Sequence, residues 1–313
     1  MTPLHRRLII KLGVDLGGTK IEVLVINNNG QELFRDRVAT PKDHYQNVID
    51  VITKLVTLAE EVVKEELSIG ICTPGSLSPV TGLLRNSNTI CLNGKPFKQD
   101  LERALTKNSG FTREIRMAND ANCFALSEAI DGSAKNAASV FGVIVGTGTG
   151  GGLVVNKKVL AGANAIAGEW GHNPLPWPEE GELVLTKCWC EQNGCIETFL
   201  SGPGLEKDYQ RATQKKMRAQ EIVELAKQGD IEADQTLGRY EHRMARSLAH
   251  VINLFDPEVI VLGGGVSNVQ RLYKNVPKIW QQWIFSDSVK TKLVAPKFGD
   301  TSGVRGAAWL WEN

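Results

Sequence analysis

The 313-residue sequence contains no unbroken apolar run of the roughly 18 residues that a membrane-crossing helix needs. Its best candidate, residues 140–155, is interrupted throughout by Gly and Thr. An excess of either charge is missing as well: 36 Lys plus Arg stand against 35 Asp plus Glu, a net charge of +1 with no long basic run. That balance excludes the electrostatic footprint of nucleic-acid binding or of an anionic membrane surface. Solvated disorder is excluded too, because 42% of the residues are apolar and only 23% are charged. Low-complexity segments and long linkers are absent. The length suits about two domains, each with a core of its own. A soluble globular protein with a small-molecule partner is therefore expected.

At the N-terminus, His5-Arg6-Arg7 before Leu8-Ile9-Ile10 looks like the basic flank of a signal peptide, yet Lys11 and Asp15 break the apolar stretch within a few residues. A mature N-terminus leading into a strand is expected. Of the six cysteines, Cys188, Cys190 and Cys195 fall within eight residues of one another, whereas Cys72, Cys91 and Cys123 are scattered in apolar surroundings. This clustering suggests metal binding in a reducing, cytoplasmic setting more than a disulfide framework.

Periodicity predicts strands over residues 8–16, 21–26 and 32–38, joined by a Gly-Gly-Thr turn and by an Asn-Asn-Asn-Gly turn at 27–30. A helix over 45–66 follows, with Val48, Ile49, Ile52, Leu55, Val56, Ala59, Val62 and Val63 at helical spacing. The hairpin arrangement recurs later as strand 139–145, glycine-rich turn 146–152, strand 153–155 and an Asn156-Lys157-Lys158 turn. Such duplication predicts two similar domains facing each other across a cleft, each offering a glycine turn to one ligand. Their boundary is expected near residues 116–119. Farther on, residues 231–255 read as a long amphipathic helix ended by Asp256-Pro257, followed by strand 259–262 and Gly263-Gly264-Gly265.

The first site candidate is Asp15-Leu16-Gly17-Gly18-Thr19-Lys20. Its glycines let backbone N–H groups approach a phosphate, Thr19 adds a hydroxyl donor, and Asp15 suits the water shell of Mg²⁺. Gly13 and Gly18 have the separation of a Walker motif, but Thr-Lys replaces Lys-Thr and a strand follows where that motif requires a helix. An ordinary hairpin turn is the competing reading. The second candidate, Gly146-Thr147-Gly148-Thr149-Gly150-Gly151-Gly152, contains G-x-G-x-x-G but again precedes a strand, so a dinucleotide fingerprint fails on context. Two Gly/Thr turns on equivalent hairpins are better explained together, as clamps on the phosphates of a nucleotide. Gly264 and Gly265 would then lie under the adenosine, unless they form a plain strand-ending turn.

In Ala118-Asn119-Asp120-Ala121-Asn122, Asp120 is placed to accept a proton from an attacking alcohol while Asn119 binds a neighbouring hydroxyl. Helix capping by the Asn-Asp pair competes with this reading. His172 with Cys188, Cys190 and Cys195 makes a Cys₃His set that fills the tetrahedral shell of zinc and leaves no position for water, so a structural zinc ion is expected. That ion would tie together two segments bearing Glu169 and Glu197, presenting both carboxylates to polyol hydroxyls; surface solvation is the bland alternative.

Taken in order, these motifs resemble the ROK family of sugar kinases and repressors over essentially the whole chain. Residues 76–94, with Asn86, Asn88 and Leu92-Asn93-Gly94, His172-Asn173-Pro174-Leu175-Pro176-Trp177, and Ala307-Ala308-Trp309-Leu310-Trp311 are most similar to bacterial fructokinases of the manno(fructo)kinase type. The resemblance implies an actin-like ATPase (ribonuclease H-like) α/β fold, with residues 1–118 and 119–299 as two domains around a cleft. A C-terminal helix at about 300–313 would rejoin the first domain. It implies ATP, Mg²⁺ and a structural Zn²⁺, a hexose substrate, no nucleic-acid or membrane partner, and a homodimer. It also implies Asp120 as base on the sugar 6-hydroxyl, and Asn88, Asn119, Glu169, His172 and Glu197 around the sugar. The segments containing Gly13, Asp15, Gly17, Gly18, Thr19 and Lys20, and Gly146, Thr147 and Gly148, would hold the ATP phosphates. The repressors carry a helix-turn-helix domain before the kinase-like core, and about ten residues before the first strand leave it no room. The expected reaction is fructose to fructose 6-phosphate, with mannose as a second substrate. An N-acetylamino-sugar or glucose kinase is the alternative, and a non-catalytic sugar sensor is the alternative of another class.

Overall fold

The computed structural model describes residues 10–41, 44–87, 89–182 and 186–311. Strand β1 (Lys11–Leu16) pairs antiparallel with β2 (Lys20–Ile26), which pairs with β3 (Glu32–Ala39). Helix α1 (Tyr45–Val63) then packs its apolar stripe, Val48, Ile49, Ile52, Leu55, Val56 and Ala59, onto that sheet and stops at Lys64 in the left-handed conformation. Val62, in its last turn, is exposed. Strand β4 (Ser68–Cys72) runs parallel to β1. A short hairpin, β5 (Ser76–Leu77) and β6 (Leu84–Arg85), precedes α2 (Phe97–Ser109) and β7 (Ile115–Ala118), which completes a sheet of order β3-β2-β1-β4-β7.

Helix α3 (Asp120–Ile130) leads to a second sheet. There β8 (Ser139–Val145), β9 (Thr149–Val155) and β10 (Lys158–Val159) repeat the antiparallel opening of the first. A helical block follows: α4 (Glu197–Leu200), α5 (Gly202–Thr213), α6 (Ala219–Lys227) and α7 (Ile231–Phe255). Asp230 caps α7 by accepting from the Ala233 N–H, and Asp256 ends it at the position before Pro257. β11 (Val259–Gly263), α8 (Arg271–Ile279) and β12 (Lys292–Val294) finish a sheet of order β10-β9-β8-β11-β12, and α9 (Ser302–Trp309) closes the described chain. The duplicated hairpins are therefore real, and the mixed α/β fold sets two five-stranded sheets around a cleft. No described helix is long and apolar enough to cross a membrane.

One expectation is tested only in part, and another is corrected. The first strand is described only from Lys11, residues 8 and 9 lying outside the described range. The glycine run does not form one long turn: only residues 146–148 turn, and Gly150, Gly151 and Gly152 belong to β9. Close packing is the reason, since a Cβ on Gly152 would lie 2.4 Å from the Ala121 carbonyl oxygen and one on Gly151 2.7 Å from the Trp170 ring.

Helix α9 sits between the halves with its backbone pressed against three elements. A Cβ on Gly13 of β1 would come within 2.0 Å of the Val304 carbonyl oxygen, and one on Gly70 of β4 within 1.8 Å of that of Ala307. Gly306 meets the Cys123 carbonyl of α3 in the same way, at 1.7 Å. Gly13 thus serves the seating of α9. Gly306→Ala should destabilise the fold by about 2–3 kcal/mol or prevent folding. Gly238→Ala, where a Cβ meets open space inside α7, should stabilise it by about 1 kcal/mol. Urea denaturation checks both, and equal effects would contradict the seating.

Candidate active site

The β1–β2 turn is closed by the Gly17 N–H donating to the Lys20 carbonyl at 3.0 Å. Thr40, at the end of β3, clamps it by donating its N–H to the Thr19 carbonyl at 3.0 Å and its hydroxyl to the Gly17 carbonyl at 2.7 Å. Gly18 and Thr19 stay exposed. Lys20 does not point freely outward: it shares the buried Glu22 carboxylate, at 3.2 Å, with Arg35 and Arg37. Burial pushes the Glu22 carboxyl up, but hydrogen bonds from Arg35 and Lys20 hold it below the usual range. Three cations around one carboxylate leave this corner of the sheet electropositive.

Asp15 ends β1 half-buried, 3.2 Å from where a Cβ on Gly303 of α9 would be. Burial raises its carboxyl to about 6; a hydrogen bond from the Cys72 thiol works against that rise, and the charge of Asp120 adds to it. Asp120 opens α3 and accepts from the Ala121 N–H at 2.8 Å. Asn119 caps the same helix by accepting from the Asn122 N–H at 2.8 Å, so the capping reading of this motif holds for Asn119. The Asp120 side chain is exposed, yet the protein packed around the start of α3 costs its carboxylate hydration and pushes the carboxyl above the usual range.

The second turn, residues 146–148, is closed by the Gly146 N–H donating to the Gly148 carbonyl at 2.9 Å, and the Gly202 N–H docks on the Gly146 carbonyl at 2.7 Å. Glu197, at the start of α4, accepts from the Thr149 N–H at 2.9 Å with one oxygen, while its other lies 3.8 Å from the Cys188 sulfur. One carboxylate therefore connects the glycine turn to the cysteine cluster. Glu169, which precedes a short 3₁₀ turn ending at His172, has its carboxyl raised, first by desolvation. Asp120 and Glu197 push it the same way, and His172 and Arg85 oppose them. Asp120, His172, Glu197 and Arg85 thus lie near enough for their charges to act on the Glu169 carboxyl.

His172, Cys188, Cys190 and Cys195 bring their ligand atoms within 4.8 Å of one another. Tetrahedral zinc with Zn–S of about 2.3 Å and Zn–N of about 2.1 Å needs edges of about 3.6–3.8 Å. The Cys188 sulfur to His172 Nδ1 and Cys190 to Cys195 sulfur distances are both 3.6 Å, so the set fits such an ion. No disulfide forms, all six cysteines being free thiols.

A cavity of about 730 Å³ begins at Gly146 and Thr147 and runs past Gly202, Arg218, Lys227 and Gly265. Of the glycines expected under an adenosine, only Gly265 lines it. Gly264 instead packs against β8, where a Cβ would lie 2.4 Å from the Val145 carbonyl oxygen. Asn88, expected at the sugar, lies outside the described residues. Thr40, Arg85 and Arg218 were missed, because an isolated Thr at a strand end and single surface arginines carry no local pattern.

Because the folded state keeps the Asp15 proton to about pH 6 and the unfolded chain releases it near 4, raising the pH between those values weakens the fold. Above about pH 6 the penalty is full, of order 3 kcal/mol. Asp15→Asn should therefore stabilise the protein in urea at about pH 7.5, give no gain near pH 4, and cost activity. An equal gain at both pH values would contradict this.

A sequence profile of the ROK family matches residues 11–313. The N-acetyl-D-glucosamine kinase of Vibrio cholerae is 40% identical over 302 residues, covering 95% of this chain and 98% of the relative. Among solved structures, the ROK hexokinase from Thermus thermophilus superposes with a TM-score of 0.84 at 30% identity, covering 96% of this chain and 97% of the other. A ROK family glucokinase from Streptomyces griseus, in complex with glucose and AMPPNP, does so with a TM-score of 0.73 at 26% identity, covering 96% and 98%. Matched end to end by these proteins, with the actin-like arrangement of two sheets around a cleft, the chain belongs to the ROK family and is a sugar kinase.

Proposed function

We propose that the protein transfers the γ-phosphoryl group of ATP to the 6-hydroxyl of a hexose, with N-acetylglucosamine as its sugar. The observation that carries this reading is the raised carboxyl of Asp120 at the start of α3, within reach of the charges of Asp15 and Glu169. A base whose pKa is moved toward neutrality is suited to accept the hydroxyl proton as the oxygen attacks phosphorus. Asn119, Glu169, His172 and Glu197 surround the sugar. The turns at Gly17, Gly18, Thr19 and Lys20 and at Gly146, Thr147 and Gly148 hold the phosphates, with Arg35 and Arg37 adding positive field beside the first. The 730 Å³ cavity takes the nucleoside. Asp15 holds the hydrated Mg²⁺, which supplies charge neutralisation to the phosphates when bound. Phosphoryl transfer asks for positioning and charge stabilisation more than covalent chemistry, and this arrangement offers both.

The two sheets act as two domains, residues 1–118 with the C-terminal helix and residues 119–299, that close to exclude water as a competing acceptor. Zinc, held by His172, Cys188, Cys190 and Cys195, is structural. It fixes the start of α4, so that Glu197 can face the glycine turn.

N-acetylglucosamine is favoured over the fructose expected from the motifs because the relatives near 40% identity are named for it. Fructose stands as the second reading, on the likeness of residues 76–94, 172–177 and 307–311 to fructokinases. ADP release from ATP·Mg²⁺ should depend on sugar and be strongest with N-acetylglucosamine in a panel with N-acetylmannosamine, glucose, mannose and fructose. Preference for fructose would restore the second reading, and no response to any sugar would favour the sensor. Asp120→Asn should keep sugar binding and lower turnover by about 10²–10⁴-fold; near-normal turnover would remove Asp120 from the mechanism.

A further inference from the structure

A second cavity, of about 850 Å³, has no place in the phosphate chemistry. One wall is the segment around β6, with Leu83, Leu84, Arg85, Asn86 and Asn93; the opposite wall is Trp189, which stands between the metal ligands Cys188 and Cys190. Trp189 is 65% exposed and meets the His172 ring edge-on, with centroids 4.9 Å apart at 86°. An exposed indole fixed in orientation by a neighbouring ring offers a flat apolar face to a ligand.

The cavity meets the proposed sugar space through Trp189, whose ring lies against that of His172. Arg85 acts through space on Glu169 and donates to the Asn164 carbonyl at 3.2 Å, joining the β6 hairpin to the loop that leads to Glu169. From His172 the site thus continues to Trp189 and to the cavity that Trp189 shares with Arg85. In a pyranose, the carbon that bears the 6-hydroxymethyl group lies across the ring from carbon 2. A sugar presenting its 6-hydroxyl to Asp120 therefore directs its carbon-2 substituent toward this cavity.

The lining matches an amide-bearing substituent. Leu83, the buried Leu84 and Trp189 supply apolar surface for a methyl group. The Asn93 amide is not available, since it accepts from the Ser87 N–H at 2.9 Å and donates to the Ser87 carbonyl at 2.8 Å. Asn86 differs: its side chain is exposed, and no hydrogen bond to another described residue engages its amide. Its backbone is left-handed at φ 58°, and Gly75 packs closely beneath, where a Cβ would lie 2.2 Å from the Arg85 carbonyl oxygen. The backbone that carries Asn86 is therefore closely packed, and its amide is not spent on hydrogen bonds to the described fold.

We propose that this cavity is the acetamido pocket of the sugar site, with the Trp189 ring against the acetyl methyl group and the Asn86 amide paired with the amide of the substrate. The assignment rests on the N-acetylhexosamine reading above. It makes Trp189 and Asn86 residues of substrate choice, and it couples that choice to the metal-bound loop.

The test compares N-acetylglucosamine with glucose, which differs only in the carbon-2 substituent, as substrates of the full-length, zinc-loaded protein and as ligands without ATP. Trp189→Ala and Asn86→Gly should each lower the N-acetylglucosamine-to-glucose ratio of kcat/KM by about tenfold and shift the ratio of dissociation constants likewise. Trp189→Phe should restore most of it. Asn86→Gly keeps the left-handed backbone and lies outside the metal loop, so it carries the test should Trp189→Ala lose zinc. A wild-type protein that phosphorylates N-acetylglucosamine, with variants that keep both ratios, overturns the pocket alone. A wild-type protein that phosphorylates fructose and not N-acetylglucosamine overturns both the pocket and the substrate reading.

Discussion

The close approach of α9 to β1, β4 and α3 is the constraint on which the site depends. Gly13, Gly70 and Gly306 remove the Cβ atoms that would hold these backbones apart. Cys72, Cys123 and Ala307 then form a small buried cluster directly behind Asp15 and Asp120. The scattered cysteines are thus used as small apolar residues, and Cys72, hydrogen-bonded to Cys123 and buried, has its thiol pushed well above the usual range and is unreactive. With a bulkier residue at any of these positions, the ends of β1 and α3 could not converge. The burial that raises the Asp15 carboxyl, and the nearby Asp120 charge that adds to the rise, are direct consequences of this packing.

A second constraint works from the other side of the cleft. Glu197 spends one oxygen on the N–H that follows the second glycine turn and directs the other to the cluster of His172 and the cysteines. Shape at the phosphates and order in the cysteine loop are therefore linked through one side chain. In the proposed enzyme, the metal influences catalysis by orientation alone, because its ligand shell is complete without substrate.

The sequence made legible what depends on local pattern: the duplicated hairpins, the α7 helix with its Asp-Pro stop, the Cys₃His spacing and the two glycine turns. It misled where one residue type serves two purposes. Gly13, Gly264 and the glycines of β9 look like ligand loops in a linear reading, but they admit the backbone or ring of a distant element, and which element is known only once the chain is folded. Asn119 and Asp120 illustrate the converse, with adjacent residues dividing helix capping and, in the proposed mechanism, the role of base between them. Arg85 and Thr40 were illegible because their partners lie far away in sequence, and Arg218 because a single surface arginine carries no local pattern. Asn164, for example, is 79 residues from Arg85.

The central claim of the proposed mechanism is that this packing sets Asp120 to address one hydroxyl of a bound sugar. Determining the position of the phosphate by ³¹P and ¹³C NMR, on the product formed from ATP·Mg²⁺ and N-acetylglucosamine, tests it most directly. The account predicts a single 6-phosphate with little free phosphate. Phosphate on another hydroxyl, or inorganic phosphate as the main product, would contradict it.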